Sequence, residues 1–508
     1  MFNFFKRKKD MPVNPVKKIG IRQHRKLFVD RKIEEFTKDL QTRSMGLQEN
    51  DRLEGSMARQ VIAGSINSAI KGSASRLYNQ GRHLALHTSI GARYCQHVID
   101  SVVGTGLQPR TFVMKGNELD VETNTAIENA FWRWARSQKR FSRDGKVNFL
   151  ECLKLMEKER VMGGDAFLVL HEDGKDLQVS IYGADYVDWA DQRVLDNGNT
   201  VYAGIEYDSD SRAVAYWFRK RDMFTQSFST DRYRVPAERV FHYYIPVQAN
   251  ALRGVTDYLP VIKDIAHMDS FRETTIISKR VAASSMGFIT SDKESQDSFD
   301  VGEDETENYQ PPTMITDFEP GAIHQLEPGQ DIKTVQSNQG GDDFDTFNEA
   351  MLTAISMGLS SFKQALTGDT SSINYSSAKF GHNIESARFK THQDRLVDTV
   401  VMPLFEAFLR HAVINSKINV RMTQIESILD ATTIILPRVT SIEPIKDIQS
   451  EILLIEHGLK SKAQVIVEMG NDPSTVFKDI EAEKHMLNTC VVSEGETEKE
   501  KSPDTQNE

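Results

Sequence analysis

Apolar residues in this chain keep two different rhythms. Between residues 166 and 244 they come in short alternating or continuous runs, and on either side they recur every third or fourth residue. A period near two marks a strand and a period near 3.6 marks a helix, so a sheet-containing block is expected between helical flanks. At 508 residues the chain is longer than one compact core usually serves, and two to four structural regions are expected. The fold class that follows is mixed α/β and rich in helix.

Residues 1–50 read as a flexible basic arm with a weak helix, and 56–72, full of small residues, as a loop-like approach. Leu77, Leu84, Leu86, Ile90, Tyr94, Val98, Ile99 and Val102 predict a helix over 73–101 that stops at Gly104-Thr105-Gly106, with Pro109 beyond. Further helices are expected over 123–138 and 148–162, the second ending at Gly163-Gly164. Ala166-Phe167-Leu168-Val169-Leu170 is a buried-strand run, and 177–182, 201–207, 213–218 and 239–244 are further strands, with turns at Asp196-Asn197-Gly198 and Asp208-Ser209-Asp210. Helix returns from Gly254 toward Ala283. Residues 286–341 interrupt it with a strand-like Gly287-Phe288-Ile289-Thr290, an acidic loop and a β-like stretch rich in Pro and Gly. Phe344, Phe347, Met351, Ile355 and Leu359 predict a helix over 342–360. A polar break at 366–374 precedes a long helix over 375–414, interrupted near Pro403. Residues 446–487 read as helix broken at Gly458, and the tail after Ser493, with no apolar residue, as disordered.

The charge balance limits the chemistry. The formal net charge is −11, whereas a protein that grips DNA tightly shows a basic face or a high pI. Either DNA is not a partner or it is handled without being held. Cys95, Cys152 and Cys490 are too far apart for a disulfide framework or a zinc spacing, and read as buried or incidental thiols. No apolar run approaches the roughly 18–20 residues that span a bilayer, so no membrane partner is expected. The basic, aromatic start from Met1 to Lys9 lacks the apolar core of a secretory signal and reads as a solvated arm.

The chain carries no catalytic motif that holds together. There is no phosphate-binding Gly-x-x-x-x-Gly-Lys-Ser/Thr, no His-Glu-x-x-His and no Gly-x-Ser-x-Gly. Gly104-Thr105-Gly106 lacks the third glycine of a dinucleotide fingerprint, and His171-Glu172 has no partner histidine. Asp292, Glu294, Asp297, Asp300, Glu303, Asp304, Glu305 and Glu307, against Lys293 alone, do not follow calcium-loop spacing and read as a solvated loop. No enzyme class, cofactor or metal is implied.

Five groups of residues nevertheless stand in an order that resembles the lambda-type family of tailed-phage portal proteins. They are Arg76-Leu77 through Ala92-Arg93-Tyr94-Cys95 to Val102-Val103-Gly104-Thr105-Gly106-Leu107-Gln108-Pro109; the helix–Gly–strand step Gly163-Gly164-Asp165-Ala166-Phe167; Val240-Phe241-His242 followed by Arg253-Gly254-Val255; Leu366-Thr367-Gly368-Asp369 with Asn374-Tyr375-Ser376-Ser377-Ala378; and Ile442-Glu443-Pro444-Ile445-Lys446-Asp447 with Gly458-Leu459-Lys460-Ser461 and Gly470-Asn471-Asp472-Pro473. The chain departs from the family at Leu436-Pro437-Arg438, where Trp-x-Gly-Pro-Gly is common, and at Glu443-Pro444 in place of Asp-Pro.

The resemblance implies a portal fold with wing, stem helices, clip and crown, assembling as a ring, by the family's habit a dodecamer. On that scheme 51–253 is wing, 254–283 the first stem helix, 284–341 the clip, 342–364 the second stem helix, 365–378 the tunnel loop, 379–414 a helix returning to the wing, 415–490 the crown and 491–508 an acidic tail. The implied function is a channel at one capsid vertex for packaging and ejecting double-stranded DNA, in a virion component assembled in the host cytoplasm. The implied partners are other copies, DNA, the terminase large subunit, major capsid and scaffold proteins, and head-completion or adaptor proteins. Thr367, Gly368, Asp369, Thr370, Ser371, Ser372, Asn374 and Tyr375 would face the DNA, with Lys363 and Lys379 beside them as phosphate contacts. The eight clip carboxylates would form an electrostatic dock for a basic partner surface. Two other classes remain open: a scaffold or head–tail adaptor, and a nucleic-acid enzyme.

Overall fold

The computed structural model describes residues 65–116, 118–172, 176–283, 287–291, 330–334, 344–369, 371, 374–437, 444–469, 471, 473 and 476–484. In chain order they begin with α1 (Ile66–His87), α2 (Ser89–Val102), β1 (Gln108–Thr111), β2 (Met114–Lys115), β3 (Glu118–Leu119), α3 (Val121–Ala135), α4 (Gln138–Phe141) and α5 (Phe149–Gly163). The strand block follows: β4 (Asp165–His171), β5 (Gln178–Gly183), β6 (Arg193–Val194), β7 (Thr200–Tyr202), β8 (Ile205–Tyr207), β9 (Ala213–Arg221), β10 (Phe228–Pro236) and β11 (Val240–Tyr244). Then come α6 (Ile262–Ala283), β12 (Gly287–Ser291), β13 (Gln330–Thr334), α7 (Phe344–Gly358), α8 (Lys363–Thr367), α9 (Tyr375–Leu396), α10 (Met402–Ile414), α11 (Ile425–Asp430), β14 (Thr432–Ile435), α12 (Pro444–Glu456) and α13 (Lys462–Glu468). The chain divides into two compact units, one made of Met1–His83, Val98–Asp257 and Phe389–Glu508, the other of Leu84–His97 and Tyr258–Arg388.

In the first unit the strand block makes two antiparallel sheets, one in the order β10-β9-β8-β7-β6 and one in the order β11-β4-β5. The run Ala166–Leu170 lacks polar alternation because both faces of β4 are covered. Phe167 and Val169 join a core with Val187, Ile205, Tyr216, Phe218, Val235 and Val240, while α5 packs along the same strand. The helices have their own aromatic core, in which Phe131 lies 5.5 Å from Phe149, 5.3 Å from Phe405 and 5.3 Å from Phe408 between ring centroids. α5 begins where Asn148 and Glu151 exchange side-chain-to-backbone bonds as a capping box, and ends at Gly164 with φ +89°.

The second unit is built on α6 and α7. The Phe271 ring stacks on Phe344 at 5.8 Å and leans on Phe347 at 4.2 Å, and Arg272 donates to Asn348 Oδ1 at 2.8 and 3.1 Å. Tyr94 and Tyr258 meet edge to face at 5.7 Å, and the Tyr258 hydroxyl donates to the Gly91 carbonyl at 2.6 Å. β12 and β13 pair antiparallel.

Several expected boundaries move. Residues 66–72 are helix, not a loop-like approach: Ser65 accepts from the Asn67 N–H, and buried Ile70 and Ala74 give α1 an inward face. The expected helix over 73–101 breaks at Thr88. Residues 201–207 are a hairpin rather than one strand, because Ala203 (φ +52°) and Gly204 (φ +78°) both take the left-handed conformation that a two-residue turn needs. The helix expected from Gly254 starts at Ile262, since residues 254–257 bond to the first unit's framework and Pro260 cannot supply a helical N–H. The interruption expected near Pro403 lies at a π-helical turn, Val397–Val401; the wider turn accommodates the proline's missing N–H and crowded ring. The N-terminal arm, nearly all of the clip and the C-terminal tail fall outside the described residues.

Candidate functional site

Two of the motif groups converge on one buried carboxylate. Asp165, the first residue of β4, accepts from His242 Nε2 at 3.1 Å, Arg253 Nε at 2.6 Å and the Gly254 N–H at 2.7 Å. Arg253 donates further to the carbonyls of Val187 (2.7 Å), Ala184 (2.9 Å) and Ala203 (3.3 Å), and its guanidinium lies over Trp189. Burial pushes the Asp165 carboxyl up, but Arg253 and the His242 and Gly254 hydrogen bonds outweigh it and hold it below its ordinary value. Burial lowers His242, so near neutral pH the ring is uncharged and the proton belongs on Nε2. Close approach explains the glycines: a Cβ on Gly164 would stand 2.4 Å from the Val255 nitrogen, and one on Gly254 2.1 Å from the Gly164 carbonyl oxygen.

A second ionic knot lies on α5. Buried Arg160 forks onto Asp257 at 2.8 and 2.9 Å and onto Glu157 at 2.9 and 3.1 Å, while the Tyr243 hydroxyl donates to Glu157 at 2.7 Å. These residues were not singled out from sequence. The available signal was Glu157 and Arg160 three apart among the apolar residues Met156, Val161 and Met162. Between them in sequence, Glu159 is pushed up to about 7 by burial and then by Asp185, with Arg82 and Lys158 pulling the other way.

The proposed DNA-facing residues form a short ordered turn in the second unit. α8 ends at Gly368, φ +73°, whose N–H reaches the Gln364 carbonyl at 2.8 Å. Asp369 Oδ1 accepts from both the N–H and the hydroxyl of Ser371, at 2.9 and 2.6 Å, and these two bonds, side chain first, lower its pKa. Asn374 caps α9, its Oδ1 accepting from the Ser377 N–H at 2.9 Å. Thr367, Asp369, Ser371 and Asn374 are exposed, while Thr370, Ser372 and the Tyr375 side chain lie outside what is described. Lys363 pairs with Glu349 on α7, and Lys379 is half-buried on α9. The clip carboxylates Asp292, Glu294, Asp297, Asp300, Glu303, Asp304, Glu305 and Glu307 all lie outside the described residues. Cys95 and Cys152 are buried thiols. Among the described residues no group of three His, Cys, Asp or Glu side chains is placed to hold a metal ion, and no helix is long and apolar enough to cross a membrane.

The described residues thus form a mixed helix-and-strand framework, held by buried ion pairs and carrying a polar loop. Residues 53–393 match the model of the phage portal protein, lambda family, and the chain belongs to that family. The matched span takes in four of the motif groups and ends before the fifth. A probable portal protein of Halomonas phage phiHAP-1 is 22% identical over 86% of each chain. The portal proteins of Escherichia phages N15 and lambda are 20% and 21% identical over 54% of this chain, covering 57% and 56% of their own. Among solved structures, a chain from the virion of a native gene transfer agent particle is similar over 79% of this chain and 94% of its own, at TM-score 0.43 and 12% identity. A chain from the neck of the same native particle gives 0.41 and 13% over the same shares.

Proposed function

We propose that the chain acts as one subunit of a closed portal ring, by the family's habit a dodecamer, through which double-stranded DNA enters and leaves a capsid at a single vertex. The observation that carries this reading is the family match over 53–393, which spans the strand block, the α6–α7 pair and the polar loop. On this reading α6 and α7 are the stem, residues 365–378 the tunnel loop, 284–341 the clip that docks the terminase large subunit and later head-completion or adaptor proteins, and 415–490 the crown. Capsid and scaffold proteins are its remaining partners, in a virion component assembled in the host cytoplasm.

Two physical features support it. The helices of the second unit expose Ile276, Ile277, Met357, Phe380 and Ile384, each more than half accessible, apolar side chains that neighbouring copies would cover. A ring closes only through a heterologous interface of this kind. The loop offers hydroxyls and amides, and the nearby Lys363 charge is already spent on Glu349. Sliding needs few unpaired cations, because each phosphate neutralised adds affinity through counterion release. Electron microscopy of the purified chain, with particles classed by rotational symmetry, tests the proposal. Annular particles with a central channel and about twelvefold symmetry are expected, and a closed oligomer without a channel would overturn it. ATP hydrolysis by the pure chain would revive the enzyme reading, and a largely helical circular dichroism spectrum the scaffold one.

A further inference from the structure

The polar loop leaves α7 through an ordered corner, and the corner is bonded from two directions. Ser360 takes a left-handed conformation, φ +49°, at the point where α7 has ended and the chain turns toward α8. Glu385 on α9 reaches this corner, its Oε1 accepting from the Ser361 hydroxyl at 2.6 Å and the Phe362 N–H at 3.2 Å. His97 Nε2 on α2 stands 3.0 Å from the same oxygen. One turn further along α9, Arg388 Nη1 donates to the carbonyls of Leu359 at 2.7 Å and Ser360 at 2.8 Å, and its Nη2 to the Tyr94 hydroxyl at 3.0 Å. Arg93 Nε adds a bond to the Ala365 carbonyl at 3.1 Å. Gly381 lets α9 press on the Phe362 ring, since a Cβ there would come within 2.4 Å of it.

The atoms held belong to the turn between α7 and α8: the carbonyls of Leu359 and Ser360, and the N–H of Phe362, the residue that leads into α8. Ser361 and Glu385 are buried, so a carboxylate stripped of these donors would bear the cost of an unpaired buried charge. From Gly368 onward the surroundings change: a Cβ on Gly368 would meet nothing within 4 Å, and Asp369 and Ser371 bond to each other.

We propose that Glu385 and Arg388 are positioning residues that fix the root of the polar loop, Leu359–Leu366, so that only the segment from Gly368 onward is free to yield to DNA. This rests on the reading of 365–378 as the DNA-facing loop. The two residues touch no DNA; they set where the loop starts.

The test uses the full-length chain and two independent readouts. Amide hydrogen exchange is followed in peptides covering 359–368, with peptides from β4 and β9 as an internal control for folding. DNA-filled heads are counted in cells that supply the variant chain in place of the wild type. Glu385→Ala is expected to raise exchange over 359–368 by about tenfold, the loss of a hydrogen bond to a charged group, while the controls hold. The same variant should lower the yield of filled heads severalfold. Glu385→Gln keeps an acceptor at Oε1 and should restore most of both, and Ser361→Ala, a milder change, should raise exchange by a smaller factor. Unchanged exchange in both Glu385→Ala and Ser361→Ala would overturn the fixed root itself. Raised exchange with a wild-type yield of filled heads would overturn the link to DNA, and with it the reading of the loop, while leaving the root in place.

Discussion

Arg253 Nε stands 2.6 Å from Asp165 Oδ2 with both side chains fully buried, and the two residues are 88 positions apart in sequence. The pair closes the ends of the strand block on each other. Asp165 opens β4, and Arg253 follows β11 and reaches back to the carbonyls of Ala184, Val187 and Ala203. A buried ion pair contributes little net stability when intact, because desolvating both ions offsets their attraction. Its leverage shows when one partner is removed.

Arg253→Leu is therefore expected to destabilise the first unit by about 3–5 kcal/mol, since it strands the Asp165 charge and leaves backbone carbonyls without donors. Arg253→Lys should recover only part of this, because an ammonium cannot fork onto Asp165 and those carbonyls together. Denaturant unfolding of the purified chain measures both. A loss below about 1 kcal/mol for the leucine variant would show that water or a neighbouring group takes over the carboxylate.

Gly164 and Gly198 give a matched comparison of backbone strain with and without crowding. Both have φ near +90°. A Cβ on Gly198 meets nothing within 4 Å, whereas one on Gly164 would lie 2.4 Å from the Val255 nitrogen. Gly198→Ala should cost only the left-handed penalty of about 1 kcal/mol. Gly164→Ala must also push Gly254-Val255 off Asp165, and a loss of at least about 3 kcal/mol is expected. Equal effects in thermal melts would refute the steric account.

These contrasts show what sequence could and could not reveal. The β4 run and the helix over 148–162 were legible because both signals are local. The order of Gly163-Gly164-Asp165, Val240-Phe241-His242 and Arg253-Gly254 was legible as a resemblance, but its physical cause was not, since no local pattern says that residues 77 and 88 positions apart share one carboxylate. The β7–β8 hairpin was missed because alanine occupies Ala203, where Asn, Asp or Gly would have announced the turn. Beside the loop, the pairing of Lys363 with Glu349 on α7 carries no local signal, because the two are 14 positions apart.

Glu206 sets an acid limit on the first unit. Its side chain is buried, and it is held at about 2, chiefly by the Arg234 hydrogen bond and with help from Asn199. A carboxyl lowered by folding contributes stability that is complete above its unfolded value, near 4.5, and fades as the pH falls toward 2. Arg234 is 41% exposed, so solvent screening reduces the contribution to about 1 kcal/mol. Glu206→Gln should lower the melting temperature at pH 7 and converge on the wild type only near pH 2. A gap independent of pH would assign the loss to packing.

Glu159 has the opposite sign. Burial first, then the neighbouring Asp185, lift it to about 7 from an ordinary value of 4.5, against the pull of Arg82 and Lys158. A carboxyl raised by folding costs stability once it must ionise, so the penalty is fully present above about pH 7, declines as the pH falls through 7, and is gone below 4.5. Glu159→Gln keeps the shape and removes the charge. At pH 8 the variant is expected to be more stable than the wild type by about 1–2 kcal/mol, and at pH 5 the two should nearly coincide. Melting curves at those two pH values decide it. A variant less stable than the wild type at pH 8 would mean that Arg82, rather than desolvation, governs the site and that the carboxylate is held as an ion.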